Sequence, residues 1–247
     1  MKLVGPNKKV FMLIYGQSGS GKTHLAATYC WMHPDDNVFL IDCDQGTETL
    51  EAKEFVKTTP NLYVIGLEQF KDLNQLYELC EKNTVEGWIK AIPELKAQGL
   101  TKPFKCGIFD TWTEMQWLFM QELRARVGRA GKGLDFRQNI EIQHWQQMTD
   151  LNHKSVLAFK ELPMDFIFNA QQATNKDELT GQVIKGPAIH GKLVAEMPGW
   201  FNTVIYTYNT PSGGWKATTQ TKLGWPAKIR GKQGKDLENP TLEALLS

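Results

Sequence analysis

Eight consecutive residues carry the strongest chemical signal in this chain. They are Gly16, Gln17, Ser18, Gly19, Ser20, Gly21, Lys22 and Thr23. Their spacing, Gly-x-x-x-x-Gly-Lys-Ser/Thr, is that of a phosphate-binding loop. Glycines let the backbone bend until successive N–H groups point at one phosphate, and the N-terminus of a helix adds its partial positive charge. We therefore predict that Lys22 binds the β- and γ-phosphates of a nucleoside triphosphate and that the Thr23 hydroxyl binds Mg²⁺.

The segments on either side of this loop fit the same prediction. An apolar run, Val10–Tyr15, precedes the loop, and a helix-compatible segment, His24–Tyr29, follows it. The pattern is therefore strand, glycine-rich loop and helix, which is the context that the motif requires.

Acidic residues follow two further apolar runs that we predict to be buried strands. The run Val38–Ile41 leads into Asp42-Cys43-Asp44, and the run Phe104–Phe109 leads directly into Asp110. In open parallel sheets, ligands bind at the carboxyl ends of the strands. An aspartate in that position, downstream of a phosphate-binding loop, predicts that Asp110 supports the magnesium ion.

A short strand is predicted at Leu62–Ile65, and a further strand at Met164–Ala170 places Gln171 at its carboxyl end. A neutral amide in that position can sense the γ-phosphate by hydrogen bonding. Residues 173–189 are predicted to form a long polar loop that includes Lys176 and Lys185. Loops of this length in compact domains are usually functional or disordered.

The remaining elements predict an α/β fold with a mostly parallel central sheet flanked by helices. Helices are expected at about 47–56, 70–83, 84–98 with an interruption at Pro93, 112–127, 135–162 and 241–246. A C-terminal β-hairpin is expected from the alternating run 201–208, the turn 209–214 and the returning run 215–221. We interpret residues 1–247 as a single domain, with a core at about 8–208 and the hairpin and a basic tail at about 209–247.

Composition limits the classes of partner and compartment. Lys and Arg total 28 and Asp and Glu total 27, so any nucleic-acid surface must be a local patch. Gly128–Gly133 is one such basic segment, and it is either a solvated connection or a loop that contacts phosphates. Four cysteines without a Cys-x-x-Cys pair predict reduced thiols in a cytoplasmic protein. No apolar window is long enough to predict a membrane span or a secretory leader.

Taken in order, these residues resemble a RecA-type ATPase core. Within that group they are most similar to the small phage-encoded RecA-like proteins associated with single-strand annealing and recombination. The resemblance implies that Asp44 activates the attacking water, where the usual residue is Glu, and that Gln171 reports the γ-phosphate. It also implies that Lys228 and Arg230 extend across a subunit interface to bind the ATP of a neighbouring subunit.

The resemblance implies a Mg²⁺-dependent ATPase that forms a homo-oligomer, either a ring or a filament. Its expected partner is single-stranded DNA, bound by loops near 128–137 and 173–189 and therefore sensitive to salt. A single-strand-binding protein is a further expected partner. The setting would be phage recombination or strand annealing, in the cytoplasm of an infected bacterial host.

Two other functions remain open from the residues alone. The first is a P-loop kinase or another motor-type NTPase. A kinase should carry an arginine-rich lid, and Arg124, Arg126 and Arg129 form the one candidate. A nucleotide-dependent assembly module with negligible hydrolysis is the second, because Asp44 is one methylene shorter than the expected Glu. Phosphate transfer to a nucleoside or nucleotide would favour the kinase. Oligomerisation on ATP without turnover would favour the assembly module.

Overall fold

The computed structural model describes residues 9–43, 59–67, 73–116, 119, 142–176, 181, 183–190 and 193–247. Ten strands lie within these ranges, and they belong to one sheet. In chain order, β1 to β10 are Phe11–Gly16, Asn37–Asp42, Leu62–Gly66, Phe104–Asp110, Asp165–Lys176, Val183–Pro187, Thr203–Asn209, Trp215–Thr218, Lys228–Ile229 and Asp236–Glu238.

Eight helices with defined bounds accompany the strands in the part of the chain that the structure describes. In chain order, α1 to α8 are Lys22–Ala27, Tyr29–Met32, Leu73–Lys82, Val85–Ala91, Glu94–Ala97, Ile142–Glu161, Leu193–Trp200 and Leu242–Leu246. Residues 112–116 are also helical. The predicted interruption at Pro93 is confirmed, since α4 and α5 end and begin on either side of it. None of the described helices is long and apolar enough to cross a membrane.

The centre of the sheet is parallel, as predicted. Six strands run in the order β7-β1-β5-β4-β2-β3, and every neighbouring pair among them is parallel. The C-terminal strands β8, β9 and β10 join in antiparallel fashion beside β7, which confirms the predicted hairpin. The carboxyl ends of β1, β4 and β5 therefore lie at one edge of the sheet, where the predicted site residues follow them.

Both faces of the central parallel strands β1, β2, β4 and β5 are largely buried, which explains their near-continuous apolar sequences. On one face, Phe11, Phe166 and Phe168 belong to an aromatic cluster that extends to Trp112 and Phe159. On the other face, residues such as Met12 and Ile14 pack against α1, α2 and α8. The strands are consequently held rigidly from both sides, and so are the side chains at their carboxyl ends.

The prediction of a loop at 173–189 was wrong. Strand β5 continues to Lys176, and β6 pairs with it in antiparallel fashion. Gln172 lies opposite Pro187 at one end of the pairing, and Lys176 lies opposite Val183 at the other. We call this two-stranded element, residues 171–190, the ribbon; residues 177–180 and 182 lie outside the described ranges. The described residues at its outer end are exposed, since Thr174, Asn175 and Lys176 are exposed and Val183 is 55% exposed. Because these positions are not buried, the apolar alternation that predicts a strand is missing from this part of the sequence.

Candidate nucleotide-binding site

The predicted phosphate-binding loop leaves the sheet between two parallel neighbours. Gly16, the last residue of β1, is level with Gln171 of β5 and with Thr207 of β7. The Ser20 hydroxyl donates to the carbonyl of Gln17 (2.7 Å) and shares a hydrogen bond with the Thr207 hydroxyl (2.6 Å). The loop is thus fixed to its own first turn and to the neighbouring strand before α1 begins.

Two glycines of the motif are required by the hairpin that packs against the loop. A Cβ on Gly16 would lie 1.9 Å from the backbone carbonyl oxygen of Thr207. Gly21 has a φ of +77°, and a Cβ there would lie 2.5 Å from the indole ring of Trp215. The ring of Trp215 therefore packs directly against Gly21, the residue at which the loop enters α1. Side chains at these two positions would displace the β7–β8 hairpin or the loop.

The tip of the loop is also bound to the hairpin. The backbone N–H of Asn209 donates to the side-chain oxygen of Gln17 (2.9 Å), and the Asn209 amide donates to the carbonyl of Ser18 (3.2 Å). These contacts order a loop that contains three glycines. They also place the turn that follows β7 directly beside the predicted phosphate position.

Lys22 is 6% exposed, and its ammonium group is held among three oxygens. It donates to the carbonyl of Gln17 (2.7 Å), the side-chain oxygen of Gln171 (3.1 Å) and the carbonyl of Gly16 (3.4 Å). The structure thus brings two predicted site residues, Lys22 and Gln171, into direct contact. All three acceptors are uncharged, so an anionic phosphate oxygen would form a stronger, charge-assisted hydrogen bond with the same ammonium group.

Asp110 ends β4 and is buried beside Asn169 of β5. The Asn169 amide donates to a carboxylate oxygen of Asp110 (3.0 Å), while the Asn169 side-chain oxygen has no hydrogen-bond partner among the described residues. A buried acceptor without a partner costs free energy, and an ordered water would satisfy it. Mg²⁺ usually keeps several waters and binds one or two carboxylates. Asp110 and Asn169 thus supply a carboxylate and a buried acceptor that suit a hydrated magnesium ion, and Thr23 is half-buried in the first turn of α1.

Several predicted residues lie outside the described ranges. They are Asp44, the loop near 128–137, the helix at 47–56 and the arginines Arg124, Arg126 and Arg129. Strand β2 ends at Asp42, which pairs with Asp110 at the end of β4.

Lys228 and Arg230 lie far from the phosphate-binding loop of their own chain. Strand β9 pairs with the start of β7, so that Lys228 is opposite Val204 and Ile229 is opposite Thr203. The loop is level with the other end of β7, four residues beyond Thr203 and roughly 13 Å along the strand. Burial, followed by the nearby charges of Arg230 and Lys160, lowers the pKa of Lys228. Within one chain, this pair does not join the site.

Sequence reasoning missed three residues that support the site. Trp215 lies under Gly21, the Thr113 hydroxyl accepts a hydrogen bond from the backbone N–H of Gln171 (2.9 Å), and Gln116 is buried on the same helix as Thr113. For Thr113 and Gln116, the available signal was their position on the helix that follows Asp110, within two turns of the predicted site. Trp215 had no local signal, because its contact is with a segment that is distant in sequence.

Comparison with known proteins identifies the family. A family profile described as an AAA domain matches residues 8–231. The chain belongs to this AAA domain family. No curated protein sequence matches it. Among solved structures, the chain is similar to the crystal structure of the RadB recombinase, with a TM-score of 0.44, 13% sequence identity, and coverage of 93% of this chain and 86% of that one. The parallel sheet, its flanking helices and the antiparallel C-terminal strands of this AAA domain are those of a RecA-like P-loop α/β fold.

Proposed function

We propose that this AAA domain is a Mg²⁺-dependent ATPase that assembles into a ring or filament and binds single-stranded DNA. Its setting would be phage recombination or strand annealing in the cytoplasm of the bacterial host, with a single-strand-binding protein as a further partner. The observation that carries the proposal is the contact between Lys22 and Gln171 (3.1 Å) beside the buried pair of Asp110 and Asn169 (3.0 Å). Phosphate-binding, amide and carboxylate groups thus meet at one edge of the sheet.

The first step is an exchange of partners at Lys22. When the triphosphate binds, the ammonium group leaves the carbonyl of Gln17 and the side-chain oxygen of Gln171 and donates to phosphate oxygens instead. The amide of Gln171 then becomes available to the γ-phosphate. Since the same residue begins the ribbon, its change of partner is the first event that distinguishes the nucleotide-bound protein from the free protein.

Thr23 and Asp110 are the residues that would hold Mg²⁺, which neutralises charge on the β- and γ-phosphates when bound. Asn169 keeps the Asp110 carboxylate oriented through its amide. Asp44 would accept a proton from the attacking water as the bond between the γ-phosphorus and the bridging oxygen breaks, leaving ADP and phosphate. A carboxylate one methylene shorter than the usual Glu would have to act at longer reach, so turnover is expected to be slow.

Single-stranded DNA would be bound by the ribbon and by the segment near 128–137. Lys176 is exposed at the end of β5, and we expect it to contact phosphates of the DNA. Such binding is tolerant of sequence and weakens with salt. The ribbon therefore takes the role that the sequence had predicted for a loop at 173–189.

The proposal is tested by measuring ATP hydrolysis with and without single-stranded DNA. We expect DNA to raise the rate of the wild type, and Lys22→Ala to lose nucleotide binding and turnover, while Lys154→Ala, on the exposed face of α6, behaves as the wild type. A wild-type rate that ignores DNA, together with no DNA binding at low salt, would overturn the recombination function. Phosphate transfer to a nucleoside would establish the kinase, and ATP-dependent assembly without turnover that survives Asp44→Ala would establish the assembly module.

The position of Lys228 and Arg230 allows a separate test of assembly. We propose that they act on the nucleotide of a neighbouring subunit. A positive charge supplied by another subunit raises the rate of hydrolysis on the order of 10³-fold. Lys22→Ala and Arg230→Ala should each be inactive alone. Mixed together they should regain activity, because some interfaces then combine an intact loop with an intact arginine. Co-assembly of the two variants without recovery would contradict the trans role.

A further inference from the structure

The side chain of Gln116 is buried at the base of the ribbon, one helical turn after Asp110. Its amide N–H group donates to the carbonyl of Ala188 (2.9 Å) and to the carbonyl of Thr113 (3.3 Å). Its amide oxygen accepts from the backbone N–H of His190 (2.7 Å). One amide therefore fixes two backbone groups of the segment in which the ribbon returns to the body of the protein.

The same helix also holds the other end of the ribbon. The Thr113 hydroxyl accepts from the backbone N–H of Gln171 (2.9 Å), at the point where β5 leaves the sheet. The carbonyl of Gln171 in turn accepts from the N–H of Ala188 (2.6 Å). Thr113 and Gln116 thus bind both ends of the ribbon, and these ends are bound to each other.

This arrangement connects the ribbon to both halves of the phosphate site. The helix that carries Thr113 and Gln116 begins directly after Asp110, and the side chain of Gln171 accepts from Lys22. Beyond the Gln116 contact, the imidazole of His190 stacks on Trp145 of α6, with ring centroids 3.9 Å apart. A change of partner at Gln171 is therefore transmitted to Ala188 and His190 through backbone groups that Gln116 holds.

The chemistry requires an amide at position 116. The side chain must donate to one carbonyl and accept from one N–H at the same time, which glutamine can do and a carboxylate or an apolar group cannot. A glutamate would place negative oxygen against the carbonyl of Ala188. A methionine of similar length would leave both backbone groups without these partners.

We propose that Gln116 is a positioning residue that couples occupancy of the phosphate site to the conformation of the ribbon. The inference rests on the proposed function, since it specifies how bound nucleotide reaches the surface that would bind DNA. The hydrogen bonds of Gln116 are to Thr113, Ala188 and His190 rather than to residues of the phosphate site. Its role is therefore to couple the phosphate site to the ribbon, not to bind nucleotide.

Hydrogen exchange of the backbone amides in residues 183–190 tests the proposal without relying on hydrolysis. The wild type and Gln116→Met would be compared with and without Mg²⁺ and ATPγS, and nucleotide affinity would be measured in parallel. Gln147→Met, on the exposed face of α6, is the matched control. In the wild type and the control, we expect nucleotide to slow exchange about fivefold or more, which is the lower end of typical coupling between sites. In Gln116→Met, nucleotide should still bind, but the slowing should be lost.

Each other outcome has a defined meaning. Equal slowing in Gln116→Met and the wild type would overturn the role of Gln116. A wild type that binds nucleotide without any change at 183–190 would overturn it too, while leaving the nucleotide site intact. A wild type that binds no nucleotide would overturn the proposed function as well. If Gln116→Met does not fold, Gln116→Glu retains the acceptor for His190 and should show partial slowing; full slowing in that variant would overturn the need for the donor.

Discussion

The phosphate-binding loop and the ribbon lie at the same edge of the sheet but are supported in opposite ways. The loop emerges from β1, which is buried and paired on both sides by parallel strands, and it packs against Trp215 and Asn209. The ribbon extends beyond the sheet and is held at its base by Gln116 and Thr113. The comparison shows that the loop is fixed by close packing along a buried strand, whereas the ribbon is held only at its base, by the hydrogen bonds of two polar side chains and by the packing of Gly186 against Val194 of α7.

The largest effect is expected where packing at the loop is closest. Gly16→Ala would place a Cβ within 1.9 Å of a Thr207 backbone oxygen, so β1 and β7 would have to separate. We expect a loss of about 3 kcal/mol in the free energy of unfolding, as for other overpacked sites. Nucleotide binding should be lost as well. Urea unfolding and titration with a fluorescent ATP analogue measure both.

Gly199→Ala is the matched control for this prediction. A Cβ on Gly199, within α7, meets no atom within 4 Å. The change should be neutral or should stabilise the protein by up to about 1 kcal/mol, because alanine favours a helix over glycine. Equal stability losses in Gly16→Ala and Gly199→Ala would show that the contact with Thr207 is not the reason why position 16 requires glycine.

The next largest effect is expected at Trp215, whose ring packs against the loop. Trp215→Ala removes the ring that packs against Gly21 and that meets the edge of His24, with ring centroids 6.2 Å apart. Trp215 is half-buried, so we expect a loss of about 2 kcal/mol, below the range for fully buried rings. The affinity for ATP should fall because the loop loses its support. Trp215→Phe, which keeps a ring there, should retain most of both properties, and an unchanged ATP affinity in Trp215→Ala would contradict this account.

A smaller and different effect is expected in the ribbon. The ammonium group of Lys185 donates to the carbonyl of Leu223 (2.8 Å) and lies 5.4 Å from the ring centre of Trp225. Lys185→Met should cost less than about 1 kcal/mol of stability. It should leave the affinity for ATP unchanged. Binding of single-stranded DNA should weaken, with the slope of log K against log salt reduced by about one.

Lys154→Met, an exposed lysine on α6, is the control for the ribbon variant. It should change neither DNA binding nor its salt dependence. A decrease in ATP affinity in Lys185→Met as large as that in Trp215→Ala would remove the distinction between a packed loop and a lightly held ribbon.

The smallest effect concerns pH. Burial lowers the pKa of His190 below its ordinary value of 6.5. As pH falls through this region, the unfolded chain takes up the proton before the folded protein does, so the free energy of unfolding decreases. We expect His190→Phe, which keeps an aromatic ring against Trp145, to lose less stability than the wild type between about pH 7.5 and pH 5.5. Urea unfolding at both values measures the difference, and identical losses would contradict it.

The parts of the site that sequence predicted are those with local patterns. The motif from Gly16 to Thr23 is contiguous, and Asp110 and Gln171 each follow an apolar run that ends at one edge of the sheet. The physical reason they could be placed is that strand ends in a parallel sheet converge regardless of the details of packing.

The parts that sequence missed depend on contacts between distant segments or on the absence of a core. Asn209 and Gln17, which bond to each other, are 192 residues apart in the chain. The ribbon has no buried outer face, so its residues show no alternation, and Gln172–Lys176 resembles a loop in composition. Gln116 is a single polar residue among apolar neighbours, and only the positions of Ala188 and His190 reveal its function as a bridge.

The docking of the β7–β8 hairpin onto the loop also determines when the site exists during synthesis. The motif is translated long before Asn209 and Trp215, the residues that fix its tip and pack against Gly21. With 192 residues between Gln17 and Asn209, ribosomes adding about 5–20 residues per second need about 10–40 s to supply the missing support. During that time the nascent chain carries the sequence of a nucleotide-binding loop without its structure, so ATP can stabilise the loop only after the hairpin has been made.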